Sequence, residues 1–314
     1  MPRIAVCGNH RESYCTEAEL AWTFEDLGHQ VVRFQENETP TSCMVEICKQ
    51  QAVDLFVYVH THGWKSVGTL SLDQVIEQLR AGGTKTASFH LDRYWGLNGD
   101  NREHLVGRHA FWHTDVVFTA DGGNQERFKS RGVNHVWLPP AVAKRHCFRG
   151  VYRQELAADV VFVGARNYHV EYPFRTQLIQ WLERTYGRRF RRFNGDAGGT
   201  VRETRLNDIY ASAKVVVGDS CFAGSPLYWS DRVPETLGRG GFLIHPLSAG
   251  LDIDGLVTYL AEDVSALKSR IEFYLEEDTL RLEMSATAMG IVEAHHTYHN
   301  RMTELLNVMG LSCL

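Results

Sequence analysis

Short apolar runs of strand length alternate with helical patterns along the first 140 residues. After Leu138-Pro139-Pro140 the alternation begins again at Asp159–Val163 (DVVFV). Apolar runs of this kind suit strands buried on both faces, and the intervening helices are what covers a parallel sheet. In the first series the strands fall at Arg3–Cys7, Gln30–Phe34, Asp54–His60, Lys85–Leu91, Asp115–Ala120 and His135–Leu138. Its helices fall at Thr16–Leu27, closed by Gly28, and at Ser42–Gln50, Leu72–Arg80 and Asn124–Arg131. The second series runs helix Pro173–Tyr186, strand Phe190–Phe193, helix Glu203–Ala213, strand Lys214–Gly218, a helix opening near Asp231, and strand Gly241–His245. Helical patterns at Val264–Leu275, Thr279–Ala294 and Asn300–Met309 follow. The fold class is therefore α/β: two doubly wound, Rossmann-like domains, residues 1–145 and 146–314, the second carrying a helical C-terminal tail. Ligands of such sheets are expected at the carboxyl ends of the strands.

A chain of 314 residues, 44% hydrophobic and 23% charged, is long enough for two such cores. Its formal charge of -5 offers no global attraction to nucleic acid or anionic membrane, but the charge is uneven. Seven arginines stand between Arg184 and Arg205 against Asp196 and Glu203, whereas Leu251–Met284 carries nine acids against three bases. Seven cysteines, odd in number and irregular in spacing, fit a reducing compartment, hence the cytoplasm. No signal-peptide core and no apolar run of membrane-spanning length is read, so no membrane insertion is expected.

The stretch SDRVPETLGRGGFLIHP, Ser230–Pro246, concentrates the chemistry. A helix starting near Asp231 puts Pro234 in its first turn, where the missing N–H breaks no helical bond. The remaining early N–H groups and the positive dipole end would then favour a phosphate, with Arg232 as an added cation. Glu235 repels phosphate, and its carboxylate suits the paired hydroxyls of a ribose. Phosphate beside a diol describes a nucleotide. Against this stands a capped surface helix with an exposed Asp231–Arg232 pair.

The run RVPETLGRGGFLIHP resembles the donor-binding segment of nucleotide-sugar glycosyltransferases of GT-B architecture, in the CgeB-like, spore-maturation-type branch. DVVFVGARNYHVEYPFR (Asp159–Arg175), LNDIYASAKVVVGDS (Leu206–Ser220) and HTYHNR (His296–Arg301) agree with that family in order and spacing; before Pro140 the likeness rests on strand-helix order and FHLD (Phe89–Asp92). The resemblance implies two domains facing a cleft and transfer of a sugar from a nucleoside-diphosphate sugar, a UDP-sugar by preference, to an acceptor hydroxyl with retention. It places Glu235 on the donor ribose and the Arg232, Val233, Pro234 turn on the diphosphate. Gly164 would leave room for close approach of the phosphates, and Arg166 and Arg175 would serve as phosphate-binding or helix-orienting cations. Many relatives carry a second acid eight residues before the ribose glutamate, a place held here by Leu227.

Arginines and helix N–H groups can stabilise a leaving diphosphate, so no catalytic metal and no cofactor beyond the donor is expected. The paired histidines lack a carboxylate or cysteine partner at a recognised metal spacing. Acceptor-side candidates at the ends of the first domain's strands are Asp92 foremost, then His62 and His10, with Arg93, Tyr94 and Trp95 lining the acceptor. Phage enzymes that glycosylate hydroxymethylated bases of DNA share the two-domain architecture, and the arginine-aromatic mixtures at Arg184–Arg205 and Arg93–His113 suit DNA. The leading acceptor is thus a hydroxymethylated DNA base. A cell-envelope glycan, protein or small molecule is the alternative, and a sugar-nucleotide epimerase or a non-catalytic nucleotide-sugar binding protein is the rival function. A nicotinamide oxidoreductase is disfavoured, because GNHRESYC after the first strand lacks the glycine-spaced fingerprint.

Overall fold

The computed structural model describes residues 1–59, 66–95, 102–166, 174–193, 201–222, 225–261 and 263–311. The chain divides into two compact units, Met1–Pro139 with Tyr298–Leu314, and Pro140–Thr297.

The first unit is built on β1 (Arg3–Gly8), β2 (Gln30–Gln35), β3 (Leu55–Val59), β4 (Lys85–His90), β5 (Val116–Thr119) and β6 (His135–Trp137), with helices α1 (Thr16–Asp26), α2 (Thr41–Gln50), α3 (Leu72–Ala81) and α4 (Gln125–Ser130). All strands pair in parallel in the order β2-β1-β3-β4-β5-β6. β3, reading LFVYV, is buried at every residue, as a central parallel strand requires. Local chemistry sets the helix ends. Ser71 caps α3 by accepting from Gln74 N at 3.2 Å while Gln74 Oε1 accepts from Ser71 N at 2.8 Å. Beyond α1, Gly28 adopts φ +89°, a left-handed stop that favours glycine.

The second unit carries β7 (Ala158–Val163), α5 (Phe174–Tyr186), β8 (Phe190–Phe193), α6 (Glu203–Ser212), β9 (Ala213–Val217), α7 (Arg232–Gly238), β10 (Leu243–Pro246), β11 (Val257–Tyr259), α8 (Val264–Glu276) and α9 (Asp278–His295). Its parallel sheet has the order β11-β10-β9-β7-β8. The core joins Val160, Phe162, Val215, Val217 and Ile244 of the strands to Leu178, Ile179 and Leu182 of α5 and Leu267 and Ile271 of α8. The chain leaves β7 for β8 on one side and returns on the other through β9. The carboxyl ends of β7 and β9 are therefore the topological switch point, where such sheets bind ligands.

The last helix, α10 (Tyr298–Val308), departs from the expected boundaries. The sequence assigns it to residues 146–314, but it groups with the first unit, packing on α1. His299 Nε2 lies 2.7 Å from Asp26 Oδ2, its ring meets Trp22 edge-on at 5.6 Å, and Lys85 Nζ donates to Met309 O at the helix C-terminus. The change of unit falls at Pro139–Pro140 and at Thr297–Tyr298. A periodicity reading sees that α10 has an apolar face and not which core that face enters.

Candidate functional site

The switch point of the second sheet gathers charged side chains from three elements. Two residues beyond the end of β9 comes Asp219, 0% exposed. Its Oδ2 accepts from Arg175 Nε of α5 at 2.5 Å, and its Oδ1 lies 2.9 Å from Arg232 Nη1 at the start of α7. The second contact is an ion pair without hydrogen-bond alignment. Arg232 is further fixed by Nε donating to Val163 O at 3.0 Å and Nη1 donating to Ser230 Oγ at 3.2 Å, with the guanidinium over the Phe162 ring at 5.3 Å. Burial would lower the Arg232 pKa, but the charges of Asp219 and Asp231 outweigh it and hold the group above its ordinary value.

Gly164, just past β7, sits at φ +143° under this guanidinium. A Cβ there would stand 2.6 Å from Arg232 Nη2. The glycine thus makes room for the arginine itself, where the sequence expectation had it make room for phosphate. The helix start also differs from expectation. The N–H of Arg232 donates to Ser230 Oγ at 3.3 Å and that of Val233 to Ser230 O at 3.0 Å, Pro234 has none, and Glu235 N–H donates to Asp231 O. The early N–H groups of α7 are therefore engaged, and the positive charge comes from the arginine.

Glu235 lies in the first turn of α7. Its Oε2 accepts from Arg239 Nε at 2.8 Å, and Arg239 is anchored on Glu203 O at 2.9 Å and on Asn207 Oδ1. Oε1 of Glu235 has no bond among the described residues, and the side chain is 26% exposed. Arg239 thus fixes one carboxylate oxygen and leaves the other unengaged among the described residues. Arg166, expected on the phosphates, pairs at the surface with Glu183. Arg175 is buried on Asp219 and so orients α5.

His245 of β10 completes the floor. Its Nε2 lies 3.1 Å from Asp219 O and its Nδ1 2.8 Å from Pro246 O, and burial pushes its pKa down to about 4. In the first unit His135, stacked on Phe128 at 3.8 Å with Nε2 2.9 Å from Thr119 Oγ1, is likewise lowered by burial to about 4. Both rings are neutral in the fold, whereas an unfolded histidine titrates near 6.5. The unfolded chain then binds more protons below about pH 6.5, so stability is full above that value and is lost as pH falls toward 4. Each ring should cost about 2 kcal/mol at pH 5 relative to pH 7.5. Urea midpoints at the two pH values test this, and equal midpoints would refute it.

Of the acceptor-side candidates, Asp92 follows β4 and is partly exposed, with Oδ2 3.6 Å from His90 Nε2; His90 Nδ1 lies 2.9 Å from Tyr94 Oη. His10, past β1, points Nε2 at Val6 O at 3.1 Å, and burial lowers its pKa. His62 lies outside the described residues, as does His60. Arg93, Tyr94 and Trp95 require correction. Tyr94 and Trp95 are 3% and 4% exposed within the first unit's core, not displayed for stacking on a base. Their N–H groups donate to the fully buried Asp121 at 2.8 and 3.1 Å, and Arg93 Nε donates to Trp95 O at 2.5 Å. These bonds shape the chain after β4.

The edge strand β8 carries part of the arginine cluster. Arg189 pairs with Asp159 at 2.7 Å, Arg191 donates to Glu155 O, and Arg192 donates to Gly164 O at 3.1 Å. Charge on an edge strand also discourages edge-to-edge pairing. Among the described residues no helix is long and apolar enough to cross a membrane.

The glycosyl transferase-like family matches residues 151–307, which includes every residue of the switch-point cluster. A search of the curated proteins finds no match. Anabaena Alr3699/HepE, solved with UDP-glucose, is similar over 98% of this chain and 99% of its own, with 10% identity and a TM-score of 0.62. An alpha-glucosyltransferase solved with UDP-glucose and DNA containing an abasic site is similar over 98% and 99%, with 9% identity and a TM-score of 0.61. The Candida albicans trehalose-6-phosphate phosphatase N-terminal domain is similar over 100% and 97%, with 9% identity and a TM-score of 0.61. At these identities the likeness is one of fold: two parallel-sheet α/β units of GT-B type.

Proposed function

The chain belongs to the glycosyl transferase-like family, and on that premise we propose that it moves a sugar from a UDP-sugar to an acceptor hydroxyl. The observation that carries the reading is the Arg175–Asp219–Arg232 assembly at the switch point, one turn of helix from Glu235. Glycosyl transfer builds negative charge on the departing diphosphate, and a fixed guanidinium in a partly dry site stabilises that charge. Arg232 Nη2 serves the diphosphate and Glu235 Oε1 accepts from the ribose hydroxyls. Uridine is favoured because HepE and the alpha-glucosyltransferase were both solved with UDP-glucose. With arginine supplying the charge, the transfer is proposed to be metal-independent and, by resemblance to the CgeB-like branch, retaining. Asp92 is proposed to act on the acceptor hydroxyl. The irregular cysteines support a cytoplasmic setting.

The acceptor proposed is a hydroxymethylated base in DNA. Support comes from the alpha-glucosyltransferase solved with DNA and from the Arg184–Arg205 cluster in an otherwise acidic chain. With Tyr94 and Trp95 buried, the aromatic part of that support is withdrawn.

Glu235→Ala tests the donor half. UDP affinity should fall by about 1.5–3 kcal/mol, the worth of a charge-assisted hydrogen bond, with folding retained. Calorimetric titration measures it, and an unchanged affinity would remove Glu235 from the donor site.

A further inference from the structure

We propose that Asp219 is the positioning residue of this site: a buried carboxylate that fixes the Arg232 guanidinium so that its Nη2 is presented to a diphosphate as a preset donor. This deepens the donor reading above and rests on it. A fully buried aspartate is rare unless paired, and here it is paired twice, to α5 through Arg175 and to α7 through Arg232. Its backbone is pinned from a third side. Asp219 O faces His245 Nε2 at 3.1 Å, and a Cβ on the preceding Gly218 would come within 2.8 Å of His245 Cδ2. Helices α5 and α7 thus meet on its side chain, and β10 holds its backbone.

Stability alone is a poor reason for such a cluster, because a buried ion pair rarely outperforms an apolar packing of the same volume. The arrangement of the donors gives a better one. Arg232 spends Nε on Val163 O and Nη1 on Ser230 Oγ and Asp219, while Nη2 makes no bond among the described residues and lies over the site of the missing Gly164 side chain. Arg175 is 3% exposed and the Arg232 side chain 17%, so Arg232 is the member of the pair that reaches solvent. A guanidinium locked on two nitrogens and open on the third loses little rotamer freedom when an anion arrives. Lysine could supply the charge at this position but not the fixed fork.

The test titrates inorganic pyrophosphate, UDP and uridine into the wild-type chain, Asp219→Asn and Arg232→Lys, with folding followed by circular dichroism. Asp219→Asn should weaken pyrophosphate and UDP about tenfold or more while uridine binds within about twofold of wild type. General loosening would weaken all three. Arg232→Lys should lose pyrophosphate to a similar degree although its charge is kept, and it decides the matter alone if Asp219→Asn does not fold. Pyrophosphate binding within twofold of wild type in the folded variants, with UDP bound by wild type, overturns the positioning role and leaves the donor reading standing. A wild-type chain that binds neither pyrophosphate nor UDP overturns the donor reading, and this inference with it.

Discussion

Arg232→Ala should weaken UDP binding by about 10²-fold and lower folding stability by about 2–3 kcal/mol. The first effect follows from losing a charge-assisted donor to the diphosphate together with its Coulombic attraction in a partly dry site. The second follows because Asp219 stays buried and keeps only Arg175, and removing one partner of a buried pair leaves charge uncompensated. Partial exposure of Arg232 places the cost toward the low end of the usual range. Calorimetry reads the affinity and urea unfolding the stability. Wild-type UDP affinity in a measurably destabilised variant would make the cluster purely structural.

Asp92→Asn should lower turnover about 10²-fold while UDP affinity stays within about twofold of wild type. Asp92 stands at the carboxyl end of β4 and is partly exposed beside His90, with His90 held in turn by Tyr94 Oη. Asparagine keeps the shape and removes the charge and the basicity, so a catalytic loss without a binding loss is the signature sought. Full turnover with impaired UDP binding would mean that Asp92 serves the donor instead.

The sheet-forming strands were legible because central parallel strands are apolar on both faces: LFVYV and DVVFV can be little else. β11 was not legible. VTY has three residues in LDIDGLVTYL, whose two aspartates and glycine break any strand pattern, and its parallel pairing of Val257, Thr258 and Tyr259 with Ile244, His245 and Pro246 makes it a strand. The start of α7 is legible within one residue from Pro234 and Asp231, but the use of its N–H groups is not, since Ser230 and Asp231 take them by local geometry that no composition rule encodes. Asp219 was missed for a related reason. An aspartate in VVVGDS reads as an ordinary strand-end turn, and its importance comes from Arg175 and Arg232, 44 positions before it and 13 after. The signal available was GDS directly beyond a buried strand at a sheet's switch point. Tyr94 and Trp95 failed the opposite way. Aromatics beside an arginine resemble a stacking surface until Asp121, 27 and 26 residues on, is seen to bind their backbone and draw them into the core.

Sugar transfer from a UDP-sugar can be tested in one incubation. The chain is mixed with a pool of nucleotide sugars and DNA containing 5-hydroxymethylcytosine or 5-hydroxymethyluracil, the DNA is digested to nucleosides, and masses are read together with released UDP. The predicted result is a hexose- or pentose-sized gain on the hydroxymethylated nucleoside matched by an equal amount of UDP. Transfer to a glycan, protein or small molecule added in place of DNA would keep the enzyme and discard the DNA acceptor. Intact donors, no UDP and no mass gain on any acceptor, from a folded chain, would contradict sugar transfer.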